Sequence, residues 1–288
     1  MKLIARVLLC TLTLIIATVV SGALIGALHL KPPVVGWSTT PAAMLAWMSL
    51  GSLVLIVGLM PIALGIGGSF SVRCFALVML LFLANAVNQV LELSIFSTIG
   101  GFGFLLAQYI IAFFLTAAAL AWAFGAHDAV PSLPRMPVSS WIWRVLAAWL
   151  AFPVIYLAFG MCVGPFVVPY YKTGVLGLII PPLDVIMRMQ LLRSFLFLVA
   201  SLLAILLWTG SRRRLIFALG LAHSSLVGLY GLSQAYWMPS VLRELHSVEI
   251  VADSFVYALV LACLFFPRTR MVATSSVTHA PVGSASAA

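Results

Sequence analysis

The stretch GFLLAQYIIAFFLTAAALAWAFG, residues 103–125, carries no charged side chain. As a helix it is long enough to cross a hydrocarbon core of about 30 Å, which needs about 20 apolar residues. Seven further runs of this kind flank it, at 7–30, 42–66, 74–98, 144–168, 183–209, 215–236 and 245–266. Of the 288 residues, 64% are hydrophobic and 7% charged, against about 25% charged in an ordinary soluble domain. So few charges cannot coat a water-facing surface. The fold expected is all-α: a polytopic transmembrane helix bundle of about eight spans, with the lipid bilayer as its first partner.

The connectors are short and polar or proline-rich, as at Lys31-Pro32-Pro33 and Pro181-Pro182, and the one real linker runs from Ala126 to Ser140. The expected organisation is a first four-helix half over 1–126, a cytoplasmic linker over 127–143, a second half over 144–270 and a disordered tail over 271–288. With the N-terminus inside, ten Lys and Arg residues face the cytoplasm and three lie in outer connectors. That bias predicts both termini to be cytoplasmic. It also explains the net charge of +9 without any nucleic-acid partner. The first span, longer than a signal-peptide apolar region, is expected to be retained. No eukaryotic sorting signal is evident, so a bacterial cell membrane is the expected location. Cys10, Cys74, Cys162 and Cys263 form no CxxC pair and read as small core residues.

The first and fifth spans align without gaps 138 positions apart: Ile4, Arg6, Val7, Leu8, Leu12, Gly22 and Gly26 match Ile142, Arg144, Val145, Leu146, Leu150, Gly160 and Gly164. Past a three-residue slip, Lys31, Pro41 and Arg73 match Lys172, Pro182 and Arg214, 141 positions apart. A 4+4 parallel tandem repeat, its halves related about an axis along the membrane normal, accounts for this order; chance matching among apolar sequences is the alternative. The paired GxxxG spacings would let the first and fifth spans pack closely, or either of them pack on another neighbour.

The two Asn and four Gln all fall in spans, where each amide needs a protein or water partner. Asn85, Asn88, Gln89 and Glu92 stand at i, i+3, i+4 and i+7, one face of a helix. In the last span His246, Glu249, Asp253 and Tyr257 share another face, with Pro239 suited to the first helical position. Asp184 and Arg188 form an i,i+4 pair, whereas Arg193 lies too deep to reach water comfortably and needs an anionic partner. Counting from helix midpoints puts Glu92, Gln108, Arg193 and Glu249 about 5–9 Å to the outer side of centre. The expectation is one buried cluster, Arg193 paired with Glu92 and Glu249, and Gln108 and Asp253 alongside.

Three function classes fit these residues. A transporter or binding protein would use an outward-facing polar pocket, a carboxylate taking up a proton and Arg193 holding the anionic group of a small or lipid-like ligand. Pro153, Gly160, Gly164, Pro165 and Pro169 would bend the fifth span beside it. A structural protein would use the same ions to fix helix register. A membrane-embedded enzyme acting on a lipid or lipid-linked substrate would draw a base, or a weak metal site, from His246, Glu249 and Asp253. HExxH, GxSxG and P-loop motifs are absent, so no metal, cofactor or catalytic residue is assigned, and the balance leans away from an enzyme. Oligomeric state is not legible.

Overall fold

The computed structural model describes residues 2–33, 39–125 and 136–266. Among them, eight helices are long and apolar enough to cross a membrane. They are α1 (Leu3–Ala27), α2 (Pro41–Gly65), α3 (Phe70–Phe96), α4 (Phe102–Phe124), α5 (Val138–Lys172), α6 (Leu183–Leu206), α7 (Arg212–Gln234) and α8 (Ser240–Phe265). This is an all-α multi-pass membrane bundle, and its surroundings are therefore a lipid bilayer. Among the described residues backbone pairing outside helices amounts to isolated bridges between connectors.

Local signals fix the helix ends. Pro41 sits at the first position of α2, and the Thr40 side chain accepts from Ala43 N at 3.2 Å. Ser69 and Ser211 cap α3 and α7 in the same way, accepting from Val72 N and Arg214 N at 3.4 Å. Pro239 caps α8 from outside it, one residue before the position its sequence suggested. Helix α5 is the longest and continues through Pro153, Pro165 and Pro169. It starts at Val138, so residues 138–143 belong to a helix and not to the linker. Residues 126–135 and the tail 271–288 lie outside the described set.

Helices α2, α3, α6 and α7 form the centre. α1 packs on α4 and α2, and α5 packs on α8 and α6. Gly22 of α1 therefore lies against Gln108 of α4, and Gly160 of α5 near Glu249 of α8; the two GxxxG faces serve different neighbours. Cys10 and Cys74 are buried, but Cys162 and Cys263 face outward, because both lie on flanking helices, on the side turned from the core.

Burial follows one register in both halves. Gly51, Leu55, Ile56, Leu59, Ile62 and Ala63 of α2 are buried, and so are Arg193, Phe197, Leu198, Ser201, Ala204 and Ile205 of α6, each 142 positions on. The same spacing takes Ala76, Leu77, Leu80, Leu81 and Ala84 of α3 to Ala218, Leu219, Ala222, His223 and Leu226 of α7. In α4 and α8 the spacing is 141, and buried Ala117, Leu120, Ala121 and Phe124 meet identical residues at Ala258, Leu261, Ala262 and Phe265. Both α3 and α7 widen into a π-helical stretch, at Phe82–Val87 and Ser225–Leu229. The α2–α3 and α6–α7 connectors pair with each other: Gly67 N donates to Leu207 O (2.8 Å) and Thr209 N to Gly65 O (2.9 Å). Each of these bonds maps onto the other under the 142-residue spacing.

Candidate functional site

The polar cluster is built by side chains of α3, α5, α6 and α8. Arg193 of α6 is its centre and is 2% exposed. Its Nε donates to Asn88 Oδ1 at 2.6 Å, Nη1 to Gln190 Oε1 at 3.2 Å, and Nη2 pairs with Glu92 Oε1 at 2.6 Å. The rings of Phe152, Tyr156 and Phe197 stand 5.6–5.9 Å from the guanidinium carbon, a distance at which a ring face attracts a cation. Arginine can only donate, so both amides turn their oxygens toward it. Their nitrogens, Asn88 Nδ2 and Gln190 Nε2, are then left without a hydrogen-bond partner among the described residues, although both side chains are fully buried.

The second part of the cluster comes from α8. Glu249 Oε2 pairs with His246 Nδ1 at 2.9 Å. Asp253, one turn further, is 3% exposed and takes a long bond of 3.4 Å from Ser254 Oγ. Asp253 and Arg193 are close enough to act on each other electrostatically. A Cβ on Gly160 would sit 3.6 Å from Glu249 Oε1, an ordinary contact, and one on Gly164 would have nothing within 4 Å. Tyr171 Oη approaches His246 Nε2 at 3.5 Å. Beyond Glu92, the α3–α4 and α5–α6 connectors join through Thr98 N to Gly177 O and Ile179 N to Phe96 O, both 2.9 Å. The Glu92 side chain keeps 35% of its surface accessible and Arg193 almost none.

Several sequence expectations need correction. Glu249 binds His246 instead of Arg193. Gln108 stands outside the cluster, donating to Thr18 O of α1 at 3.0 Å, because α4 lies on the opposite flank of the bundle. Arg188 is exposed, its ion pair with Asp184 local to the first turns of α6. The four-residue stripe of α3 also divides. Asn88 and Glu92 reach Arg193, but Gln89 accepts from Tyr109 of α4 at 2.7 Å and Asn85 donates to Leu226 O of α7 at 2.5 Å. Asn85 lies within the π-helical turn, where the usual 100° per residue does not hold. Among the described residues no three His, Cys, Asp or Glu side chains are placed to hold a metal ion.

Other members were not singled out from sequence. Gln190 is one, and the aromatic rings around Arg193 are others, apolar residues in an apolar run until the fold aims them. His223 of α7 is fully buried, its Nε2 2.7 Å from Ser201 Oγ. Ser201 donates to Phe197 O at 2.6 Å and so accepts from the imidazole. A lone His inside the apolar span 215–236 was the available signal.

The spacings of the two halves map the cluster onto a second location among α1, α2, α4 and α7. There Gln234 stands for Glu92, Gly51 for Arg193, Tyr230 for Asn88, Gln108 for Glu249 and Ala112 for Asp253. The contacts correspond as well as the positions. A Cβ on Gly51 would stand 2.7 Å from Gln234 Nε2, and one on Gly22 would stand 2.8 Å from Gln108 Nε2. No protein-family model matches the chain, and no curated protein or solved structure does either.

Proposed function

We propose that the protein is a transport or ligand-binding membrane protein whose working site is the Arg193 cluster, with Asn88, Gln190, Glu92, His246, Glu249 and Asp253 as its polar lining. One observation carries the reading. At the matched positions among α1, α2, α4 and α7 stand Gln234, Gly51, Tyr230, Gln108 and Ala112, none of them charged, which supports packing of this kind without ions. Ionisable groups inside a membrane are expensive and are kept for work or for pairing, and here Asp253 has no ion-pair partner among the described residues.

The matched burial registers and the self-mapping connector bonds support a 4+4 tandem duplication, one copy of the site having lost or never gained its charges. Under the positive-inside bias the termini are cytoplasmic and the pocket opens in the outer half of a bacterial cell membrane.

The test is to rewrite the charged site as its neutral counterpart: Glu92→Gln, Arg193→Gly, Glu249→Gln and Asp253→Ala together. Replacing a buried ion pair by well-packed residues of similar volume is often neutral or stabilising, and the set of residues at the matched positions, Gln beside Gly, packs closely at Gly51 and Gln234. The variant is expected to insert, purify as a single species and melt within a few degrees of the parent. Alongside it, Gly160→Cys in a background without Cys162 is expected to react with a membrane-impermeant maleimide from outside. A neutral variant that fails to fold would return the cluster to a structural role, and an unreactive Cys at 160 would remove the pocket.

A further inference from the structure

The two parts of the cluster differ in what they lack, and, given that it is a ligand site as read above, the difference specifies the ligand. The first part is rich in donors. Arg193 presents a guanidinium, and on either side of it the Asn88 and Gln190 amide nitrogens lie fully buried with no acceptor among the described residues. A buried N–H without a partner is costly, so this part favours an anionic oxygen group. Glu92 alone fills that role, and it is the most accessible member, hence the one most easily displaced. The second part is rich in acceptors. Glu249 and Asp253 sit one turn apart on α8, both less than a tenth exposed, with His246 the sole ion-pair partner of the two among the described residues. Two buried carboxylates beside one imidazole favour an incoming cation with several N–H donors.

We propose that the pocket binds a small zwitterion, an ammonium joined through a short chain to a carboxylate or phosphate. The ammonium lies between Glu249 and Asp253. The anionic oxygens take the Glu92 position on Arg193 and accept from the Asn88 and Gln190 amides. Free amino acids and phosphoethanolamine share this chemistry with the headgroup of phosphatidylethanolamine.

The experiment uses the full chain, purified in detergent, with thermal unfolding read against glycine and phosphoethanolamine as whole ligands and against ethanolamine, acetate and inorganic phosphate as halves. Parallel samples in nanodiscs compare phosphatidylethanolamine with phosphatidylglycerol. A whole zwitterion is expected to bind at least about tenfold more tightly than either half, a difference that one charge-assisted contact can supply. Protection only in phosphatidylethanolamine discs would assign the source to lipid, and protection by a free probe would assign it to a solute. Asp253→Asn is expected to weaken the whole ligand about tenfold while leaving the ligand-free melting temperature within a few degrees; Glu249→Gln serves if that variant does not fold. Equal binding of a half ligand, or no effect of any probe or lipid, overturns the zwitterion. In those cases the folding of the neutral variant and labelling at position 160 still decide separately whether a pocket exists.

Discussion

Two places in this bundle, related by spacings of 141 and 142 residues, have matched burial and opposite chemistry. At one, Gln234 lies against Gly51, Gln108 donates to Thr18 O and Ala112 replaces an acid; the location is filled by amides and is uncharged. At the other, Glu92 meets Arg193, Glu249 meets His246, and Asp253 lies a turn deeper. The covering helices differ too. α1 is buried at intervals along its length, from Cys10 to Ile25, while α5 beyond Pro153 buries only Val167. Charge and loose cover therefore coincide. Within the charged cluster Arg193, Glu249 and Asp253 are buried and Glu92 keeps 35% of its side chain accessible, so exchange with a ligand would begin at Glu92.

The largest expected effect tests whether that charge is self-contained. Arg193→Leu leaves Glu92 without its partner; removing one member of a buried pair costs about 3–5 kcal/mol, and the 35% exposure of Glu92 sets the loss toward the low end of that range. The melting temperature in detergent should fall steeply. Adding Glu92→Gln should restore most of it, since the other half shows that Gln is accommodated at this position of the fold. A double variant no more stable than the single one would mean that Arg193 holds the bundle through its amide and ring contacts, and the comparison with Gly51 would lose its force.

The sequence discloses the spans because apolar length is a local property, and 103–125 already contains the whole argument for one helix. Gly22 and Gly160, 138 positions apart in sequence, lie against Gln108 and Glu249, but α2 and α6 match in burial at 142 positions where Pro41 and Pro182 suggested 141. Proline marks where a helix starts, and burial marks which face turns inward; these differ by one residue here, since Pro41 lies inside α2 and Pro182 just before α6. The repeated Ala, Leu, Ala and Phe of α4 and α8 were present to be read, and in an apolar run they do not stand out. The site was legible as to Arg193 with Glu92, from depth and charge alone. Its division from Gln89, Asn85 and Gln108 was not, because a helical face spans about 100° or more and only the packing order says which neighbour stands opposite each side of it.

A middle-sized effect concerns cover. Gly22→Ala would bring a Cβ to 2.8 Å from Gln108 Nε2, whereas Gly160→Ala would meet Glu249 Oε1 at 3.6 Å, an ordinary contact. Overpacking costs about 1–3 kcal/mol, with Gln108 able to relieve part of it by rotating. Thermal unfolding should therefore show a clear loss for Gly22→Ala and little change for Gly160→Ala. Equal losses would indicate that α5 closes on α8 as firmly as α1 closes on α4, and the charged location would be sealed like the neutral one.

The smallest effect probes what the halves still share. Ser69 and Ser211 occupy matched positions, each accepting at 3.4 Å from the backbone N–H three residues on. An N-cap Ser→Ala change costs about 1 kcal/mol, and neither cap lies near the charged cluster. Ser69→Ala and Ser211→Ala should lower the melting temperature alike, and additively when combined, since distant sites add. Unequal losses would place a difference between the halves at this end as well, and the divergence could no longer be assigned to the site. Equal losses would confine it to the far end, where Arg193 and Glu92 stand at positions matched, 142 residues earlier and later, by Gly51 and Gln234.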